Sequence, residues 1–530
     1  MKKCFACVSI LILSLSFSIS QNNYYEETIV YNDGLEFGQL FGSEMTTNSE
    51  DLLVTSNGSI HFYSVIDGYW TEYQTVESEQ NNTEFGFPVQ LVGNVAYVGA
   101  NNDGSGKVFI YEKVNDYWQQ DGFIRTYDPH VHSFGKMFFI MEDIAIINAR
   151  FSTTSEYFDV VYIFQNDGEN WWQVDRIDII DSNVGGLFIN QETAFIGLPH
   201  LNGTSEGSGA VIIYTNNGND WIEASYIEPS LPVLDGNFGK EICMVDDYLF
   251  ISADGTLSST NYGGIVYVYT YDITNGWVEY DLLVSSDSTD GDHFGAEIDA
   301  FNDNLVISAV GNRDGGYGSG SAYIFSINSM NNQWVETNKI IPSDLLTGDF
   351  FGGGCTISNN YVFISSPMKE NLTGAVYIYD PNDTTLHSNF AGDVRNGNAP
   401  VTVQFTSVPQ GNPTSYEWDF NSDGFVDSTE PHPEFTYNID GTYTVTLTVF
   451  DETGSDAGIK EDYIQVISDI LFGDVNLSGS LDVGDIVLYV DFVLGFSEPT
   501  EDQFLAGDVN YSGGIDIIDI VMVIDEILGL

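Results

Sequence analysis

The sequence predicts a mainly-β protein in three parts: a seven-bladed β-propeller, then a small β-sandwich, then a small α-helical module built on a repeated loop. Three observations carry this. A Phe-Gly pair recurs along the first 380 residues, spaced from 48 residues (Gly38 to Gly86) to 57 (Gly295 to Gly352). Short strands of alternating polarity fill Val401 to Ile467. An Asp-rich loop at Asp474 returns 34 residues later at Asp508, each time leading into an apolar-periodic segment.

The repeat comes first because its period decides the fold. Its anchors are Phe37-Gly38, Phe85-Gly86, Phe134-Gly135, Phe238-Gly239, Phe294-Gly295 and Phe351-Gly352, with Val184-Gly185-Gly186 as a degenerate seventh. Each anchor opens an apolar strand, a turn such as Asp303-Asn304, and a strand like Leu305–Ala309. A Gly-rich loop (Asp314–Gly320), an alternating strand (Ala322–Phe325) and a Trp-bearing strand complete the unit. Four short strands per unit are the signature of a propeller blade. The tryptophans are Trp70, Trp118, Trp172, Trp221, Trp277 and Trp334, one fewer than the anchors. Glu27–Tyr31 precedes Phe37-Gly38 as Lys339–Ile341 precedes Phe351-Gly352, so the N-terminal strand is expected to complete the last blade and hide both open edges. The propeller spans residues 24–380 on this reading.

The stretch Gly291–Gly295, Leu305–Ala309 and Gly320–Phe325 resembles an FG-GAP repeat, the unit of the integrin α propeller. The resemblance implies a propeller fold; a glycan or protein ligand on a face built from its Gly-rich loops is a separate expectation. Some blades of that family carry an Asp-x-Asp-x-Asp-Gly calcium loop. Here Asn101-Asn102-Asp103-Gly104 and Asn312-Arg313-Asp314-Gly315 have too few acids at alternating positions and read as Gly-rich hairpin turns.

The compartment follows from the first residues. Lys2 and Lys3, the apolar run Val8–Phe17 and Ser18-Ile19-Ser20 predict a secretory signal peptide over 1–20. The apolar run is short for a membrane span, and no later stretch reads as one. The expected location is secreted or cell-surface. Net charge is −64, or −66 once Lys2 and Lys3 leave with the signal. So anionic a surface repels nucleic acid and anionic membranes and favours cations. A hydrophobic content of 43% and an aromatic content of 14% mark a folded chain rather than a disordered acidic one. Cys4 and Cys7 fall in the signal; Cys243 and Cys355 read as buried free thiols.

Residues 381–398 read as a linker and 399–468 as the sandwich. Tyr416-Glu417-Trp418-Asp419-Phe420 and Gly441-Thr442-Tyr443-Thr444-Val445 resemble a PKD domain, which implies a spacer or adhesive module. Between them, Asp419, Asn421, Asp423 and Asp427 surround the turn glycine Gly424. Alternating oxygens before a glycine suit a hard cation, so this loop offers a calcium site; the alternative is an Asx-rich turn.

In the first C-terminal loop Asp474, Asn476, Ser478, Asp482 and Asp485 place oxygens at positions 1, 3, 5, 9 and 12; Ser480 lends a carbonyl and Gly479 the turn. Asp508, Asn510, Ser512, Gly514, Asp516 and Asp519 repeat the pattern. The periodic segments Ile486–Leu494 and Ile520–Leu528 predict helices. The pairing, the leading Gly-Asp-Val-Asn and Asp at position 12 resemble a type I dockerin over 472–530. That implies two calcium ions and a protein partner of the cohesin kind. Cellulosomal dockerins often present Ser-Thr at loop positions 10 and 11; Val483-Gly484 and Ile517-Ile518 stand there instead, so the partner is left open.

No catalytic constellation stands out. His130-Val131-His132 is the lone histidine pair and lacks a third ligand; there is no Gly-x-Ser-x-Gly or phosphate loop. The expectation is a non-catalytic binding, adhesion or scaffolding protein that docks through calcium-dependent loops. The alternative is a dockerin-bearing polysaccharide-degrading enzyme or accessory protein with its site in the propeller channel.

Overall fold

The computed structural model describes residues 25–30, 38–66, 69–78, 84–101, 105–180, 182–203, 205–218, 220–232, 234–255, 263–342, 344–380, 386–407, 409, 411, 413–452, 454–467, 472–510 and 514–528. The signal-peptide reading, Phe37, Ser512 and Asn102-Asp103-Gly104 lie outside them.

Seven four-stranded antiparallel sheets follow one another along the chain. The first is Met45–Thr47, Asp51–Ser56, Ser59–Ile66 and Tyr69–Glu77, each strand paired with the next. The seventh takes three strands from Cys355–Ile357, Val362–Ser366 and Ala375–Asp380, and its fourth from Tyr25–Val30. The first strands of neighbouring sheets touch in succession, and that of the seventh touches that of the first. The result is a β-propeller-like fold. Second strands are covered on both faces, which is why Leu305, Val306 and Ile307 form an unbroken, fully buried apolar run.

The Phe-Gly pair latches one sheet to the next. Phe351 is wholly buried, and its amide donates to the Ser319 carbonyl of the preceding sheet at 2.9 Å, while Gly352 donates to Ser365 of its own sheet at 2.8 Å. Phe238 with Ser208 (3.1 Å) and Phe294 with Gly263 (2.7 Å) repeat the contact. The preceding-sheet glycine lies flat on the Phe backbone; at Gly320 (φ +87°) a Cβ would strike the Phe351 carbonyl. Truncating a latch Phe to Ala would cost about 3–5 kcal/mol in so tight a site.

The first latch is Phe41-Gly42, not the expected Phe37-Gly38. Phe41 is wholly buried, its amide donates to Thr373 at 2.8 Å, and Gly374 packs on its backbone. Gly42 (φ +86°) sits under Ser365 and Val376 as Gly295 sits under Ser252 and Val266. Gly38, by contrast, has no described residue near its Cβ direction. The first sheet is therefore hooked to the seventh through Phe41 as well as through Tyr25–Val30.

Third and fourth strands share a register shift in all seven sheets, for instance between Ile213 and Tyr214 and between Ile324 and Phe325. Such bulges add twist and turn each fourth-strand tryptophan toward the preceding sheet. Trp334 meets Phe250 at 5.0 Å and Trp70 meets Phe363 at 5.2 Å. In the third sheet this role belongs to Trp171, which packs on Tyr97 at 6.1 Å. Trp172, expected there, is exposed and donates to Asp167 at 2.8 Å. Period-2 alternation puts only one of two adjacent tryptophans inward.

The sandwich packs Phe390–Gly392, Val401–Ser407 and Glu434–Tyr437 against Asn396–Asn398, Ser455–Ile467, Gly441–Phe450 and Ser415–Asp419. The expected linker thus contains two strands. Phe390 lies in the core, 5.1 Å from the Trp418 ring, because a lone apolar pair suffices for a three-residue strand. Ala391 also belongs to a cluster with Ile340, Ile341 and Leu345 of the propeller-like part, and the Arg395 guanidinium donates to the Leu345 carbonyl. The C-terminal segment holds helices Val483–Val493, Glu501–Gly507 and Ile517–Leu528 around Val475, Tyr489 and Val523.

Gly320→Ala should lower the melting temperature of the propeller-like part by the equivalent of at least about 1–2 kcal/mol, the left-handed penalty alone, before the clash is added. Gly93→Ala, also at positive φ (+58°) but in open space, should lower it less. Equal losses in the two variants would contradict the latch.

Candidate functional site

The two C-terminal loops share one hydrogen-bond scheme. In the first, the Asp485 carboxylate accepts the amides of Asn476 (3.1 Å) and Asp482 (2.9 Å). In the second, Asp519 accepts those of Asn510 (3.2 Å) and Asp516 (2.8 Å). Position 12 therefore ties positions 3 and 9 together in both. Asp474 accepts the amides of Ser478 (2.9 Å) and Gly479 (2.6 Å), closing the first loop around itself. Gly479 takes φ +83°, which explains the glycine at the turn. Asp482 caps the following helix through the Gly484 amide at 2.6 Å.

The loops are bound back to back. The Gly473 amide donates to Ala506 at 2.7 Å, and the Tyr489 hydroxyl to Gly507 at 2.9 Å. Burial pushes the Tyr489 hydroxyl well above its ordinary value, and Asp519, Asp485 and Asp508 add to the shift, so acids of both loops converge on it.

Asp474, Asp485, Asp508 and Asp519 are all buried. Among the described residues no three His, Cys, Asp or Glu side chains form a metal-ligating group. The donor set expected here is mixed, drawing on Asn476, Ser478, a Ser480 carbonyl and three carboxylates in the first loop. That set suits a hard cation. Residues 472–530 contain twelve acids and no Lys, Arg or His, so no side chain of the segment can neutralise the buried carboxylates. A bound calcium ion would supply that charge.

Val483, Val487, Val490 and Leu494 run exposed along one helix at helical spacing; Ile517, Ile518, Val521 and Met522 are exposed on the other. The positions expected to read a partner, Val483-Gly484 and Ile517-Ile518, therefore lie at the surface.

In the sandwich loop, Asp419 accepts the amides of Asn421 (3.3 Å) and Gly424 (2.9 Å), and Asp427 accepts that of Phe420 (2.8 Å). The Asn421 amide group donates to Asp423 at 3.2 Å. Asx-turn bonds from the amides of Asn421 to Asp419, Asp423 to Asn421 and Phe425 to Asp423 run through the loop, and the four side chains share it. Asp314 of the Gly-rich loop is paired with Lys339 instead, which leaves its carboxylate engaged.

Sequence reasoning missed a group of carboxylates at or just before the first strands. Glu44, Glu241 and Glu297 each stand three residues after a latch Phe, as Phe-Gly-x-Glu, a signal visible in the sequence. Burial pushes all three up, and Glu297 raises both Glu44 and Glu241 further. Lys240, held by Asp254 at 2.6 Å, lies close enough to draw Glu297 and Glu241 partly back. Cys243 and Cys355 are free thiols, half-buried rather than fully buried as expected; desolvation pushes both well up, with Asp299, Glu241 and, for Cys355, Glu297 adding to it. Protonated thiols of this kind are poor nucleophiles.

A carboxyl raised on folding binds more protons in the native state than in the unfolded one, so stability falls as pH rises from about 4.5 toward about 8. Glu44→Gln and Glu297→Gln should each raise the melting temperature at pH 8, by about 2–4 °C if ~1 kcal/mol is recovered, and change it less at pH 5. An equal effect at both pH values would contradict the raised carboxyls.

A family model described as a PKD domain matches residues 389–466, and one described as an FG-GAP repeat matches 277–325 and 334–379. The repeat matches begin on the tryptophan strands at Trp277 and near Trp334, one strand before each Phe-Gly latch. No curated protein matches the chain. Among solved structures, a chain in a crystal structure of the mitotic checkpoint complex is 11% identical over 70% of this chain and 100% of that one, with TM-score 0.42. A protein from Lactobacillus plantarum is 10% identical over 60% and 89%, with TM-score 0.37. The PKD1 domain of the Vibrio cholerae metalloprotease PrtV is 31% identical over 16% and 96%, with TM-score 0.13. Among the described residues no helix is long and apolar enough to cross a membrane. The chain is a multidomain protein with FG-GAP repeats and a PKD domain.

Proposed function

We propose that the chain is a secreted or cell-surface, non-catalytic binding and scaffolding protein. Its seven sheets act as a seven-bladed propeller that offers a ligand-binding face, the PKD domain as a spacer, and the dockerin-like C-terminal pair as the attachment. The observation that carries this reading is the shared scheme of the two loops, with buried position-12 carboxylates in a segment devoid of basic residues. Asp474, Asn476, Ser478, Ser480, Asp482 and Asp485 would hold one calcium ion. Asp508, Asn510, Ser512, Gly514, Asp516 and Asp519 would hold the second, and Asp419, Asn421, Asp423 and Asp427 a third in the PKD domain. Calcium supplies positive charge and fixes the loops, so its binding and the folding of this module are coupled.

The exposed Val483–Leu494 and Ile517–Met522 stripes give the docked partner an apolar surface, in keeping with the absence of Ser-Thr at loop positions 10 and 11. A second reading, a polysaccharide-acting enzyme, is favoured by the mutually repelling Glu44, Glu241 and Glu297, since carboxyls with raised pKa values serve as general acids. Hydrolysis of a polysaccharide by the full chain, lost in Glu241→Gln, would favour it.

Removing calcium with a chelator should lower helical circular dichroism and abolish a low-temperature melting transition of the full chain. Capture of surface proteins on immobilised chain should require calcium and be lost in the Val487→Asp/Val521→Asp double variant, whose calcium response is kept. Unchanged dichroism and melting in chelator would contradict the reading.

A further inference from the structure

Two of the inward tryptophans, Trp171 and Trp277, are only half-buried, and a groove opens at the second. Trp70, Trp118, Trp221 and Trp334 are buried at 8%, 3%, 8% and 5% exposure. Two of these are covered by a pair of aromatics from the preceding sheet. Trp334 meets Tyr248 (5.6 Å) and Phe250 (5.0 Å); Trp70 meets Tyr361 (5.2 Å) and Phe363 (5.2 Å). Trp277 keeps the inner partner, Phe195 at 5.3 Å, but the outer place on that strand is filled by Thr193, where Tyr248 and Tyr361 stand on theirs. The small side chain leaves Trp277 half-buried, and a groove of about 1350 Å³ opens between the fourth and fifth sheets, reaching the sixth at Asp303 and Ile327.

The lining has a definite chemistry. Trp277 and the exposed Tyr271, 5.5 Å apart, supply aromatic surface. Thr215, Ser225 and Thr270 line it with hydroxyls that make no hydrogen bond elsewhere among the described residues. Glu192, Asp246, Asp247 and Asp303 add carboxylates, and among the described residues no basic side chain lines the groove. An aromatic face attracts the slightly positive C–H bonds of a sugar ring, hydroxyls and carboxylates bond sugar hydroxyls, and the acids repel anionic polymers. A few polar groups around aromatic walls are the usual make-up of a small-ligand site. The geometry points to a binding groove for a neutral polysaccharide, centred on Trp277 and Tyr271. This deepens the binding reading above by naming a ligand class and a place, and it is independent of the calcium loops.

The test is affinity electrophoresis of the full chain, in chelator, through gels containing hydroxyethylcellulose, galactomannan, arabinoxylan, laminarin or polygalacturonate. At least one neutral polymer should retard the chain, and polygalacturonate should not. Thr193→Tyr, which fills the groove as Tyr248 fills its counterpart, and Tyr271→Ala, at an exposed position, should each weaken retardation about tenfold or more. If Thr193→Tyr does not fold, as read by melting, Tyr271→Ala decides. Retardation by no neutral polymer, by polygalacturonate alone, or equally in wild type and folded variants would overturn the proposal. Because chelator is present throughout, failure of the loops to bind calcium leaves this outcome unaffected.

Discussion

The rest of the structure depends on the contact between a Phe-Gly pair and the glycine of the sheet before it. A four-stranded sheet on its own exposes two apolar faces and two edges. The latch fixes how far each sheet is turned from its neighbour: a buried ring fills the gap, its amide is held by the preceding loop, and a flat glycine permits the close approach. Once that spacing is set, the second strands are covered on both faces and the fourth-strand tryptophans meet the preceding sheet. The same contact, through Phe41 and Thr373, joins the start of the chain to its last sheet.

Much of this was legible in the sequence because the latch needs two residue types in fixed order. The closing strand was legible from the count of tryptophans against anchors, and Tyr25–Val30 does pair with Ala375–Asp380. Phe37-Gly38 misled because two Phe-Gly pairs lie four residues apart. The following residues distinguish them, since Phe41-Gly42-Ser43-Glu44 matches Phe238-Gly239-Lys240-Glu241 and Phe37-Gly38 does not. Adjacent Trp171 and Trp172 posed the same ambiguity, resolved only by strand register. The three-residue strands at Phe390 and Asn396 are too short to show a period. The groove at Trp277 had no signal of its own; it follows from Thr193, whose smallness matters only once the packing partner is known.

Electrostatics runs through the functional account. A chain at −64 contains few cations, and they are spent on particular acids: Lys113 on Asp51, Arg150 on Asp159, Lys240 on Asp254 and Lys369 on Asp349. Residues 472–530 hold no Lys, Arg or His to pair with the C-terminal loops, whose buried Asp474, Asp485 and Asp519 are held by backbone amides. Amides orient a carboxylate but leave its charge in place, whereas an ion removes it. The glutamates that follow the Phe-Gly latches take another course: burial and the neighbouring carboxyls push them above the ordinary carboxylate range.

The most direct test of the central claim is the number of calcium ions retained by the full chain in native mass spectrometry. The account predicts at least two ions, one lost in Asp485→Ala and a different one in Asp519→Ala. A chain that carries no calcium at millimolar concentration, or whose ion count is unchanged in both variants, would contradict it.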